Sequence, residues 1–129
     1  MTESQITYEI RGAIFDTYKA LGPGLLENIY EEALCYFLEK RGLKVERQKE
    51  VPIIIDNHVL ESRMRLDLLV EDQVIIELKA VNEMKDIFHQ QIISYLKLTN
   101  LHVGILVNFN TTEITRSIWN KINGYKTQQ

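Results

Sequence analysis

Val74-Ile75-Ile76-Glu77-Leu78-Lys79-Ala80 is the stretch on which the fold turns. Its first three residues are apolar on both faces of an extended chain, the pattern of a strand buried in the middle of a sheet. Glu77 and Lys79 interrupt that pattern. Two apart on a strand, they point to one face and stand about 7 Å from each other along it. Taking each charge out of water costs roughly several kcal/mol unless a partner or a metal ion compensates. The strand therefore predicts a use for both.

The residues just upstream supply a counterpart. Met64-Arg65-Leu66-Asp67-Leu68-Leu69-Val70 reads as a strand with Asp67 as its lone acid, and Glu71-Asp72-Gln73 is a tight turn between the two strands. Such a turn makes an antiparallel hairpin, which sets Asp67 beside Glu77 on a shared face. Adjacent carboxylates repel and raise a pKa unless a divalent cation neutralises them. Hard oxygen donors suit Mg2+ or Mn2+, with water completing an octahedral shell. Lys79 then stands where it can orient or help deprotonate an attacking water and steady charge developing on a phosphate. The plainer reading makes Glu77 and Lys79 an edge-strand ion pair and Asp67 a solvated acid. A Glu-x-Lys spacing alone does not separate the two; the apolar setting and the hairpin partner favour the metal site.

Outward from the hairpin, the period of the apolar residues assigns the rest. Ile6, Ile10, Ala13, Ile14, Thr17 and Tyr18 recur at helical spacing, predicting a helix from about Glu3 to Leu21 that Gly22-Pro23-Gly24 ends. A second helix is expected from Leu25 to Arg41, with Ile29, Ala33, Leu34, Phe37 and Leu38 as its apolar face and Gly42 closing it. Val45 to Ile55 reads as one or two strands, and Val59 to Glu61 begins the return after the Asp56-Asn57 turn. A third helix spans Met84 to Thr99, with Ile87, Gln91, Tyr95 and Leu98 among its regularly spaced positions. Leu101 to Asn108 is a buried strand in which Gly104 signals close approach by a helix. Glu113 to Trp119 alternates weakly, as an edge strand or a helix. The order predicts the α/β class: a mixed sheet flanked by helices, within one domain over residues 1–129.

Several side chains join the candidate site by spacing. Gln91 and Tyr95 are four apart and share one helical face; both can aim at phosphate, a base or the lysine, or Tyr95 is core and Gln91 surface. Glu27 opens the second helix, where an acid complements the helix dipole or reaches the carboxylate pair as a further metal or water ligand, and Tyr30 follows one turn later. Arg65 shares the face of Asp67 and meets either phosphate or a carboxylate. His58, His89 and His102 show no metal-ligand spacing, and His89 reads as a surface or packing residue. Trp119 and Tyr125 are core or interaction residues.

Composition bounds the partners. The chain has 129 residues, 26% of them charged, and a formal net charge of −3. A protein that grips DNA by neutralising phosphates usually displays a basic surface, so grip here calls for a local basic groove, bound metal, a homo-oligomer or a DNA-binding partner protein. The single cysteine, Cys35, excludes a disulfide framework and reads as a buried structural thiol. The opening residues show no secretory leader and no apolar run spans a bilayer, giving a cytoplasmic expectation with no membrane partner.

Five motifs in order carry a resemblance. Gly24-Leu25-Leu26-Glu27-Asn28-Ile29-Tyr30 matches G-x-x-E-x-x-Y and is followed by Arg65-Leu66-Asp67, Glu77-Leu78-Lys79, Gln91-Ile92-Ile93-Ser94-Tyr95 and Gly104-Ile105-Leu106-Val107-Asn108-Phe109. Over nearly its whole length the chain resembles the bacterial and archaeal GxxExxY proteins, placed in the PD-(D/E)XK nuclease superfamily near RecB-like and lambda-exonuclease-like members. Leu66 stands where the superfamily's name has Pro, a position that varies among relatives.

The resemblance implies a restriction-endonuclease-like α-β-β-β-α-β core with an extra N-terminal helix. It makes Asp67 and Glu77 metal ligands, Glu27 the acid of the first core helix, and Lys79 the catalytic lysine. Gln91 and Tyr95 become the Q-x-x-x-Y pair that supports site and substrate, beside Tyr30 and Arg65. The implied activity is hydrolysis of phosphodiester bonds in DNA by metal-activated water, with Mg2+ or Mn2+. The competing function is a catalytically inactive nuclease fold that serves in binding or assembly.

Overall fold

In the computed structural model, which describes residues 1–124, the chain runs α1 (Glu3–Leu21), α2 (Glu27–Lys40), β1 (Val45–Ile55), β2 (His58–Val70), β3 (Val74–Lys79), α3 (Asp86–Thr99), β4 (Val103–Asn108), a 3-10 turn (Ile114–Arg116) and β5 (Ile118–Ile122). Thr2 starts α1 through a capping box, its hydroxyl taking the Gln5 amide while the Gln5 side chain takes its own. Gly42 follows α2 at φ +83°, the left-handed conformation expected there.

The five strands form one sheet in sequence order, antiparallel except for the β3–β4 pair, which is parallel. Helix α3 makes the crossover between those two strands. The sheet has a helical layer on each face. On one side α1 and α2 cover Leu68, Val70, Val74, Ile76, Leu78, Ile105 and Val107. On the other α3 covers Leu66, Leu69, Ile75 and Leu106. Strands β3 and β4 are thus apolar on both faces because both faces are covered. Gly104 has the predicted reason: a Cβ there would lie 2.9 Å from Ile92 Cδ1 of α3.

Four expectations need correction. The return leg of the first hairpin is one strand from His58 to Val70, because the Asp56-Asn57 turn, both residues at positive φ, pairs Ile55 directly with His58. Helix α2 buries Tyr30, Glu31, Leu34, Cys35 and Leu38, leaving Ile29 39% exposed; its inward face is rotated because Tyr30 packs below the preceding loop. Helix α3 buries Ile92 and Leu96 and leaves Ile87 and Leu98 exposed. The tail forms its 3-10 turn first and pairs β5 with β4 only from Ile118 to Ile122. Trp119 packs against the α3-side core, edge-on to His89, whereas Tyr125 lies outside the described residues.

Candidate active site

Strands β2 and β3 pair regularly from Val70↔Val74 to Leu68↔Ile76 and then part. At the parting, two carboxylates replace the ladder. Glu77 Oε2 accepts the Asp67 amide at 2.9 Å, and Asp67 Oδ2 accepts the Leu78 amide at 2.9 Å. Each acid thus satisfies a strand amide that would otherwise be orphaned in a largely buried place, and each keeps a second oxygen for another partner.

The other neighbour of β2 opens at the same point. Pairing with β1 passes from Arg47↔Leu68 to Lys49↔Leu66 and skips Gln48 opposite Asp67. Gln48 has φ +50°, a left-handed conformation unfavourable for a residue with a Cβ. The pleat turns at this unpaired position without a shift of register, so Leu66 packs toward α3 while Leu68 packs toward α1 and α2. Asp67 is held between, facing the gap rather than either layer.

Burial governs the charges. Glu77 is 4% exposed. Desolvation, reinforced by the charge of Asp67, pushes its carboxyl up to about 8. Desolvation likewise pushes Asp67 to about 6, against the bond from the Leu78 amide, with Glu27 and Glu31 adding to the rise. Glu27 sits in the first turn of α2 on the solvent side of this group. Partial desolvation raises its carboxyl against the pull of Lys79. Tyr95 belongs to the same neighbourhood: desolvation raises its hydroxyl, and the charges of Glu77 and Asp67 raise it further.

Lys79 does not neutralise the acids by contact. Its Nζ lies 4.6 Å above the Phe88 ring, a cation–π placement, and it makes no ion pair among the described residues. Its main chain is fixed from β4. Phe109 donates its amide to the Lys79 carbonyl at 2.9 Å, and the Asn108 side chain takes the Val81 amide and donates to the Val81 carbonyl, both at 3.0 Å.

Asp67 and Glu77 thus meet where the β2–β3 pairing ends, with Lys79 two residues on, and Glu27 and Tyr95 lie within range of their charges. Gln91, one turn before Tyr95 on α3, is half-buried, and the two acids' own bonds go to backbone. Two expected members lie elsewhere. Tyr30 is fully buried, its hydroxyl turned into the Gly22–Leu25 loop and its ring stacked on Phe109 at 4.7 Å. Arg65 is paired with Glu50 at 3.0 Å across the exposed first hairpin, since the turn of the pleat removes it from the face of Asp67.

Sequence spacing missed three contributors. Glu31, 6% exposed, binds Arg47 at 3.3 Å and Gln48 at 2.6 Å, tying α2 to β1 at the unpaired position; its position one turn after Glu27 was the available signal. Phe88 under Lys79 could be found from its i, i+3 relation to Gln91. Gln48 carried no signal, because nothing in a polar strand residue announces a positive φ.

The donor set fits a hard divalent cation: two carboxylates with free oxygens and raised proton affinities, the number Mg2+ commonly takes beside its waters. Among the described residues no three His, Cys, Asp or Glu side chains are already grouped around one point.

A family model of the PD-(D/E)XK nuclease superfamily matches residues 4–121, which accords with the α2-β1-β2-β3-α3-β4 core behind α1. No curated protein and no solved structure matches the chain.

Proposed function

The chain belongs to the PD-(D/E)XK nuclease superfamily, and from that premise we propose that it is a Mg2+- or Mn2+-dependent nuclease of the GxxExxY branch, hydrolysing phosphodiester bonds in DNA. The observation that carries the proposal is the parted strand pair. Asp67 and Glu77 stand with one oxygen each committed to backbone and one uncommitted, beside a lysine without an ion-pair partner among the described residues.

A divalent cation held there supplies positive charge to the phosphate and lowers the pKa of a water beside it. The chain's own residues do the rest. Asp67 and Glu77 would hold the ion through the oxygens that the backbone amides leave free. Lys79, swinging from the Phe88 face, orients the attacking water and meets charge developing on the phosphate. Glu27 orders water on the solvent side. Tyr95 donates its hydroxyl toward the acids or a phosphate oxygen, with Gln91 one turn before it.

The acidic chain, at net charge −3, makes a second copy or a DNA-binding partner the natural source of further grip on a duplex. The lone, buried Cys35 suits a reducing cytoplasm. No helix among the described residues is long and apolar enough to cross a membrane.

One observation favours an inactive binding module instead: the two acids complete the strands' hydrogen bonding and so serve folding as well as chemistry. Calorimetry with Mg2+ and Mn2+ on wild type and on the Asp67→Ala, Glu77→Ala double variant, beside a cleavage assay, separates the readings. Binding lost in the double variant, with cleavage that also needs Lys79, supports the nuclease. No binding at millimolar metal, with DNA present, leaves the module.

A further inference from the structure

We propose that Tyr30 is a positioning residue that, with Phe109, holds Glu27 at a fixed distance from Lys79 and Asp67; this rests on reading their cluster as a metal-dependent site. The argument begins with what is missing at the start of α2. Its N-cap is Leu26, which has no side-chain oxygen and makes no capping bond, whereas helix starts are ordinarily fixed by Ser, Thr, Asp or Asn. The segment before it contains Gly22 at φ +64° and Gly24 at φ +101°, conformations open to glycine and free of side-chain restraint. Left alone, such a start would let the first turn, and Glu27 with it, fray and rotate.

One hydroxyl braces the segment before the helix instead. Tyr30 Oη donates to the Gly22 carbonyl at 2.5 Å and accepts the Leu25 amide at 3.1 Å. Among the described residues these are the only hydrogen bonds that tie residues 22–25 to α2. The ring beneath is itself anchored, fully buried and stacked within 5° of parallel on Phe109. Phe109 in turn gives its amide to the Lys79 carbonyl. A single path of contacts therefore runs from the backbone of Lys79 through Phe109 and Tyr30 to the loop that aims Glu27. It gives the G-x-x-E-x-x-Y spacing a physical reason: Gly24 supplies the turn, Glu27 faces the site, and Tyr30, one turn on and pointing inward, locks the turn that carries Glu27.

The test is a double-mutant cycle read by metal binding. Tyr30→Phe keeps the ring and its stack and deletes only the hydroxyl. In the wild-type background it lowers Mn2+ affinity about tenfold, the lower end of what supporting residues contribute. In a Glu27→Gln background it lowers affinity no further, because the residue through which it acts has gone. An equal fall in both backgrounds, or none in the first, overturns the proposal. Amide hydrogen exchange gives a readout without metal: Tyr30→Phe speeds exchange at Leu25 and through the first turn of α2, and unchanged exchange there also overturns it. Wild-type protein that binds no metal sinks the metal reading of the site, while the exchange result still decides whether the hydroxyl holds the loop.

Discussion

Asp67 and Glu77 exchange backbone amides for carboxylates: Glu77 takes the Asp67 N–H, and Asp67 takes the N–H of Leu78, the residue after Glu77. This reciprocal pair opens β2 from β3 without leaving an unpaired donor. It also forces two acids into one desolvated gap, where burial raises both carboxyls above their ordinary values.

Stability of the metal-free protein should therefore fall as pH rises. Both carboxyls lie above their ordinary values, Asp67 at about 6 and Glu77 at about 8. An acid raised in the folded state favours folding while protonated. Its contribution is complete below the ordinary value and is lost as pH climbs through the folded one. Each unit of displacement corresponds to about 1.4 kcal/mol. Glu77→Gln, which can still accept the Asp67 amide, should be more stable than wild type at pH 8 in chelator and level with it near pH 4. Urea denaturation at several pH values measures this, and a difference independent of pH would refute the desolvation account.

Metal uptake should release protons. With Glu77 protonated at neutral pH, an ion can use that oxygen only after the proton leaves. Apparent Mg2+ affinity should rise about tenfold per pH unit for one released proton, levelling off above pH 8. Calorimetry in two buffers of different ionisation enthalpy counts the proton directly.

Lys79→Met should separate binding from chemistry. Its aliphatic stem still packs near Phe88, and loss of the cation–π contact costs about 0.5–1 kcal/mol. Metal binding should survive, and more easily than before, since a positive neighbour is gone. Cleavage should drop by about 10²–10³ in kcat, the range for removing one group that stabilises transition-state charge. Cleavage within tenfold of wild type would remove Lys79 from the chemistry.

Gly104→Ala should destabilise by about 1–3 kcal/mol through overpacking, because its Cβ would stand 2.9 Å from Ile92 Cδ1 and 3.4 Å from the Ile75 carbonyl. Ile92→Val removes the closer atom, so the double variant should regain part of the loss. Thermal melts of the two single variants and the double measure the coupling, and simple additivity would show that the clash lies elsewhere.

The framework was legible where local pattern and tertiary environment agree. The apolar run of Val74–Ile76 and the lone glycine in Val103–Asn108 each had one physical interpretation, and both strands lie between helical layers as that interpretation requires. The acids of the site were legible for the opposite reason: Asp67 and Glu77 break patterns that burial explains. Arg65 was misplaced because strand alternation assumes an unbroken pleat, and the skipped pair at Gln48 and Asp67 turns it. Tyr30 was misplaced because a residue one helical turn from an acid can face the core as readily as the solvent. That choice is made by Phe109, a residue far along the chain.

The carboxylates at the parted strands also shape what mutation can do to this protein over generations. Replacing either acid with an apolar residue strands a buried amide, a penalty of about 1–3 kcal/mol against a fold whose whole margin is about 5–15 kcal/mol. Purifying selection on foldability alone would then preserve Asp67 and Glu77, whether or not the chain has the proposed activity. Lys79 has no such protection, since its ammonium completes no backbone bond and no ion pair among the described residues. Among descendants of this sequence, the lysine is the position whose drift would record the loss of the proposed activity.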